Sequence, residues 1–248
     1  LSLKKLTKYF FFSTVGRQTS ECTLWSNINS KPVFLVSGDE KFIVPPECAF
    51  IVGDVRLSRH LLFRGMKFDL IVLDPPWNNK SVKRCAVYDI FNEAVLFELR
   101  LRELLSSNGI VVLWLTNNSR VHSIAEQFLA HHSLRKLAVW YWLKVTRSGE
   151  VVCKFQPEHK VPFESIIIAC DQNAVHSEYN FRDGYVVIST PSAVHSRKPP
   201  IAKLLSSLNI FSSKKTLELF GRYLLPFTTT IGFESVKLQN TRFFECTG

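Results

Sequence analysis

The chain is built from short, unbroken apolar runs that alternate with amphipathic stretches from Lys31 onward. PVFLV (32–36) and KFIV (41–44), separated by SGDE, read as a hairpin, and AFIVGDV (49–55) as another short strand. KFDLIVLD (67–74) is continuously apolar until a carboxylate and two prolines end it, the pattern of a central strand buried on both faces. NEAVLFELRLRELL (92–105) has helical spacing, with Asn92 as N-cap and SNG as the stop. GIVVLWLT (109–116) predicts a buried strand and SRVHSIAEQFLAHH (119–132) a helix. LAVWYWLKVT, then SGE, then VVCKF predict a long aromatic hairpin, while ESIIIAC (164–170) and GYVVIST (184–190) predict further strands. PPIAKLLSSL (199–208) opens with proline where a first helical turn tolerates it. KKTLELFGR (214–222) reads as a strand running into a turn, and ESVKLQ (234–239) as a last strand. Residues 1–30 have weak periodicity and many polar residues. They predict an N-terminal arm or the remnant of a preceding region, with the folded domain spanning 31–248.

Strands alternating with helices predict a doubly wound mixed α/β sheet with helices on its faces. Such sheets bind ligands at the carboxyl ends of their strands. The polar residues that end the apolar runs are therefore the candidates for chemistry: Asp54, Asp74, Thr116 and the stretch from Glu218 to Arg222.

Composition narrows the picture. The 248 residues suffice for one large domain, and 46% apolar content with 20 Phe and 5 Trp supports a sizeable core. The 6 cysteines form no C-x-x-C pair, which favours reduced thiols over a disulfide framework or a zinc site, and none of the 7 histidines is ligand-spaced, so no metal is expected. No apolar stretch is long enough to predict a membrane span. A formal charge of +10 favours polyanionic partners, although charge alone equally fits a solvated surface.

DPPW (74–77) concentrates the candidate chemistry. Asp74 should emerge at the carboxyl edge of the sheet, and Pro75 and Pro76 fix the backbone and offer carbonyls without N–H groups. With Trp77 beside it, the element is a rigid array of acceptors next to an aromatic plane. Adenine suits it: the indole could stack on the base, while Asp74 and the Pro75 carbonyl accept the two hydrogens of its exocyclic amine. Those acceptors would localise the amine lone pair for attack on a methyl sulfonium, a stabilisation greater in the transition state than in the ground state. The bland alternative is a stiff turn with a core tryptophan. A specified string of four such uncommon residues arises by chance in a chain this long with odds on the order of one in a thousand.

DPPW resembles the signature of the adenine-N6 methyltransferases that include the messenger-RNA adenosine methyltransferase. The longer DPPWNNKSVKR, with YWLKVTRSGE (141–150), HSRKPPIAKLL (195–205) and LELFGR (217–222), is similar to the methyltransferase-like-four branch of that family. The similarity runs in order from about Pro32 to Leu238. It implies a Rossmann-like class I methyltransferase with circularly permuted motif order. By resemblance, the S-adenosylmethionine cofactor is held by Asp54 and Val55 at its adenine and by Glu218 and Arg222 at its ribose, with Phe220 packing nearby. Lys198 would meet the methionine carboxylate and Asp74 the methionine amine, and Glu234 falls in the cofactor segment. Two positions depart from the family: Phe233 stands where an Asn is usual, and Tyr223 replaces a polar residue after Arg222. Each lost contact costs about 0.5–1.5 kcal/mol in affinity.

Asn79, Lys80, Ser81, Lys83 and Arg84 follow DPPW and are read as substrate-binding, the cations contacting phosphates and the polar residues base or ribose edges. A target base must be unstacked to enter, which favours a single-stranded or bulged site. His195 lies close enough to Lys198 in sequence to contact either ligand. The resemblance implies N6 methylation of RNA, with 2′-O-methyladenosine in U2 small nuclear RNA as the specific target and a location in the nucleus, the cytoplasm being a further compartment compatible with it. DNA adenine methylation and a catalytically weak nucleic-acid-binding scaffold are the rivals. Oligomeric state is left open, and a monomer is compatible with it.

Overall fold

The structure, a computed structural model, describes residues 7–15, 18–77, 91–155, 161–174, 180–193 and 197–244, with side chains from residue 23 onward. The first strands are β1 (Thr7–Val15), β2 (Gln18–Asn27), β3 (Val33–Ser37), β4 (Glu40–Val44), β5 (Cys48–Val52) and β6 (Phe68–Leu73). They are followed by β7 (Leu105–Leu115), β8 (Leu134–Lys144), β9 (Phe163–Asp171), β10 (Val186–Ser189), β11 (Thr216–Leu219) and β12 (Thr228–Gly232). The helices are α1 (Arg59–Leu62), α2 (Ala94–Glu98), α3 (Leu101–Leu104), α4 (Ser119–His131) and α5 (Ile201–Ser207). No described helix is long and apolar enough to cross a membrane.

Ten strands form one sheet in the order β1-β2-β5-β12-β11-β6-β7-β9-β8-β10, and β3 and β4 form a separate hairpin. The centre, from β5 to β7, is parallel. Strands β11 and β12, late in the chain, are wedged between β5 and β6, so the order of motifs along the chain is permuted relative to their order in space. The apolar run of β6 is explained by burial on both faces. Phe68, Ile71 and Leu73 point into a core covered by α3 and α4, while Leu70 and Val72 point into a second core shared with α5 and the tryptophans of β8. Helices thus cover both faces, as a doubly wound sheet requires.

Four expectations are corrected. The helix foreseen over 92–105 is two short helices broken at Leu99, whose backbone is extended. The carbonyls of Leu96 and Phe97 that would continue it are instead hydrogen-bonded by the imidazoles of His132 and His131, each at 2.9 Å, while Asn92 still caps the first turn through Ala94 N–H. The SNG stop lies inside β7: pairing with β6 slips between Phe68 and Leu70, and a Cβ on Gly109 would sit 2.7 Å from Leu105 Cδ1, so the bulge needs glycine. The long aromatic hairpin is also replaced. Strand β8 pairs along its length with β9, and only a single bridge, Val145 to Val151, joins it to the VVCKF stretch. ESVKLQ forms a short 3-10 turn, Lys237–Gln239, not a strand, because its polar side chains cap backbone elsewhere: Ser235 Oγ donates to Ile51 O and Gln239 Nε2 to Ile43 O.

The region read as an arm also belongs to the sheet. Strand β2 pairs antiparallel with β5 over Trp25–Asn27, and the Trp25 ring stacks on Phe50 at 6.3 Å. Asn27 is fully buried, and its amide donates to the carbonyls of Lys31, Val44 and Pro45.

Candidate active site

Four parallel strands end side by side, and their last residues are tied together. Gly53 N–H donates to Gly232 O at 3.1 Å, Gly221 N–H to Ile231 O at 3.3 Å, and Asp74 N–H to Leu219 O at 3.3 Å. This places Asp54, Phe233, the turn from Phe220 to Arg222, and Asp74 along one carboxyl edge. The turn needs its glycines, since a Cβ on Gly232 would lie 2.7 Å from Gly221 O and one on Gly221 would lie 2.3 Å from Thr230 Cγ2. Just before Gly221, Phe220 adopts a left-handed φ of 64°, rare for a bulky residue. Its ring is held edge-on against Phe91 at 5.5 Å.

Asp74, after the last of these four strands, sits within a charge network. Lys198 Nζ lies 3.3 Å from Asp74 Oδ1 and 2.8 Å from Glu164 Oε2, and Lys144 Nζ pairs with the other oxygen of Glu164. Burial pushes the Asp74 carboxyl up despite Lys198, and Glu164 adds to the rise. For Glu164, burial is outweighed by the two lysines, which hold it below the usual carboxylate range. Burial likewise opposes the charge of Lys198, but Asp74 and Glu164 raise its pKa. Two of its ammonium donors are engaged, and the third remains for a ligand carboxylate.

Glu218, beside Asp74, has a different environment. Among the described residues no cation pairs with it, and burial, reinforced by the Asp74 charge, pushes its carboxyl up to about 8. Its neighbour across the strands is Thr230, whose hydroxyl oxygen is buried without a hydrogen-bond partner among the described residues. Tyr223 lines the same cleft and donates to Lys198 O at 3.1 Å; burial and then the Glu218 and Asp74 charges push its hydroxyl well up. The cleft has about 20 Å³ of free space, room for a water.

Most of the expected site residues line this edge, but not all in the expected way. Asp54 caps the turn bearing Val55 and is held by Arg56 at 2.8 Å; hydrogen bonds and charge from Arg56 overcome burial and lower its pKa. Arg222 pairs with Glu234 at 3.1 Å, and Lys237 pairs with the same carboxylate. Phe233 is 74% exposed at the end of β12. The Pro75 carbonyl already accepts Trp77 N–H at 2.8 Å, leaving one lone pair, and Pro76 is exposed.

Trp77 corrects the stacking expectation. Its indole is 3% exposed, its Nε1–H donates to Trp114 O at 2.8 Å, and Phe91 meets its ring edge-on at 6.4 Å. Here it is an internal brace that aims the two prolines, not an open platform for a base. Asn79, Lys80, Ser81, Lys83, Arg84 and His195 lie outside the described residues. Sequence reasoning missed Glu164, Lys144 and Thr230. Strand ends read in chain order do not reveal Glu164, which is the second residue of β9, a strand that runs antiparallel and so reaches this edge at its start. A charged residue heading an otherwise apolar run was the available signal.

The MT-A70 family matches residues 68–234, from the start of β6 past the end of β12. The chain belongs to the MT-A70 family. Similar proteins include a human N(6)-adenine-specific methyltransferase METTL4, 34% identical over 214 residues, covering 83% of this chain and 45% of that protein. A Caenorhabditis elegans DNA N6-methyl methyltransferase is 35% identical over 217 residues, covering 86% and 59%. The N6-methyladenosine RNA methyltransferase MTA1 of Pyricularia oryzae is 30% identical over 197 residues, covering 74% and 51%. The chain spans about half the length of these curated relatives. The MT-A70 match covers Asp74, Lys144, Glu164, Lys198, Glu218, Arg222 and Glu234, while Asp54 and Val55 lie before it.

S-adenosylmethionine, the cofactor this family implies, fits the residues present. Among the described residues the Thr230 hydroxyl has no hydrogen-bond partner, the Glu218 carboxyl has no cation, and Lys198 has a donor beyond its two carboxylates, a set that suits a ligand with polar, cationic and carboxylate groups.

Proposed function

We propose that this domain methylates the exocyclic N6 of an adenosine in a nucleic acid, with S-adenosylmethionine as donor. The carrying observation is the Asp74 carboxylate, fixed at the carboxyl edge in one cleft with Lys198 and Glu218 and followed at once by two prolines. S-adenosylmethionine supplies a methyl group on a sulfonium. Asp54 and Val55 would flank its adenine, Glu218, Arg222 and Glu234 its ribose region, and Lys198 its carboxylate. Asp74 and the free lone pair of the Pro75 carbonyl would accept the target amine's hydrogens and draw its nitrogen toward tetrahedral geometry. Trp77 holds these acceptors in place from beneath.

RNA is the preferred substrate, with 2′-O-methyladenosine of U2 small nuclear RNA as the specific target and the nucleus as the location. The names of the fungal relatives support RNA, and that of the nematode relative supports DNA as the second reading. Methyl transfer from labelled cofactor to matched oligonucleotides (RNA with and without a 2′-O-methyl on the target adenosine, and DNA) tests this. The 2′-O-methyl RNA should be methylated fastest; equal rates on all would remove the RNA assignment. Asp74→Ala should abolish turnover while leaving most oligonucleotide binding, and unchanged turnover in that variant would remove Asp74 from the chemistry.

A further inference from the structure

Two residues beyond the end of β8, the chain turns at Thr146–Glu150 and returns as an exposed stretch beside the start of β9. Phe155 closes that stretch and is 60% exposed. Its ring lies over Phe163 at 6.4 Å between centroids, with 33° between the planes, and Phe163 in turn meets Tyr141 edge-on at 5.7 Å. Asn117, in the loop after β7, donates to the Phe163 carbonyl and pins the middle ring to the carboxyl edge. The aromatic ladder is therefore anchored at its inner end and open at its outer face.

The ladder's position matters. Phe163 immediately precedes Glu164, the residue that grips Lys198 beside Asp74. Successive side chains on a strand point to opposite faces, so the ladder and the Asp74 cleft lie on either side of one sheet edge. Strands β6 and β9 are separated by β7 alone, about 10 Å at ordinary strand spacing. That is within reach of a nucleotide neighbouring one held at Asp74.

Charge selects the occupant. Between Arg147 and Phe155 the exposed stretch carries Arg147 and Lys154 against the single carboxylate of Glu150. An open aromatic face beside cations that form no ion pair among the described residues suits a nucleobase with its phosphate. Val151 and Val152 on the same stretch are exposed as well, so a protein partner is an outcome that the test below must separate.

We propose that Phe155, backed by Phe163 and Tyr141, is a stacking platform for an unpaired nucleotide flanking the target, with Lys154 and Arg147 meeting its phosphates. This rests on the nucleic-acid reading above and adds a second contact, outside the Asp74 cleft, that selects single-stranded substrate.

The test is a double-mutant cycle in binding. A short single-stranded oligouridine with one central adenosine is bound by wild type and by Phe155→Ala, intact and with an abasic spacer at each flanking position in turn. Phe155→Ala should weaken binding of the intact strand about tenfold. One spacer position should cost wild type a similar factor and cost Phe155→Ala nothing. Phe155→Trp should restore affinity, and the affinity for S-adenosylhomocysteine should not change. Lys154→Gln gives a second handle and should reduce the salt dependence of binding. Equal binding by Phe155→Ala, or a spacer penalty that persists in it, overturns the proposal. So does intact RNA binding accompanied by loss of self-association, which would make the patch a protein surface. Because binding is the readout, a failure to find methyl transfer would count against the catalytic reading alone.

Discussion

Single residues decide how this edge behaves with pH and ligand. Glu218 has a folded pKa of about 8 against an ordinary 4.5. Folding therefore takes up a proton between those values, and the associated stability is present below about 4.5 and lost as pH rises through about 8. Thermal unfolding followed across that window should show a decline in wild type that Glu218→Gln flattens; parallel curves would mean that the carboxyl is solvated. A cationic ligand at the same cleft favours the carboxylate, so its binding near neutral pH should release a proton, detectable as calorimetric heats that vary with buffer ionisation enthalpy. Asp74 was legible from its place at the end of an apolar run and before two prolines. The orientation of Trp77 was not, because a sequence cannot say which side of a turn finds a carbonyl, and Trp114 O supplied it. Trp77→Ala should cost roughly 3–5 kcal/mol of stability by denaturant unfolding. A variant as stable as wild type, but defective in RNA binding, would return the indole to a stacking role.

Elements were legible where their pattern was local and obscure where a distant group intervened. The hairpin of β3 and β4, the strands β6 and β9 and the helix α4 match their periodicity closely. The 92–105 helix failed because imidazoles from the far end of α4 take its carbonyls, a contact between positions more than thirty residues apart. The β1–β2 hairpin was obscured by the weak periodicity of residues 1–30. Its anchor is Asn27, whose amide satisfies carbonyls on both sides of the β3–β4 hairpin. Asn27→Ala should leave those acceptors unpaired at about 1–3 kcal/mol, read as earlier unfolding and faster amide exchange in β2 and β5. Unchanged exchange there would show that pairing with β5 alone suffices.

For the whole molecule, the doubly wound architecture followed from the alternation of elements. The resemblance implied a permuted order, and the position of β11 and β12 in the sheet displays it. The surplus of 31 basic over 21 acidic residues is a property of the whole chain and should appear as salt-sensitive oligonucleotide binding. Log affinity should fall linearly with log salt at a slope near 0.7 per phosphate neutralised on a single strand. A flat line would assign the excess charge to solubility.

The wedging of β11 and β12 between β5 and β6 also has a consequence for biosynthesis. While the chain is being made, β5 and β6 emerge early, yet each waits more than 140 residues for the neighbour that completes its ladder. Until then the nascent protein holds two incomplete half-sheets, and the Asp74 side chain has neither its Glu218 neighbour nor the Leu219 carbonyl that fixes its backbone. A premature stop anywhere before Thr216 would thus remove the keystone and not the trim, leaving sticky strands for chaperones instead of a shortened domain.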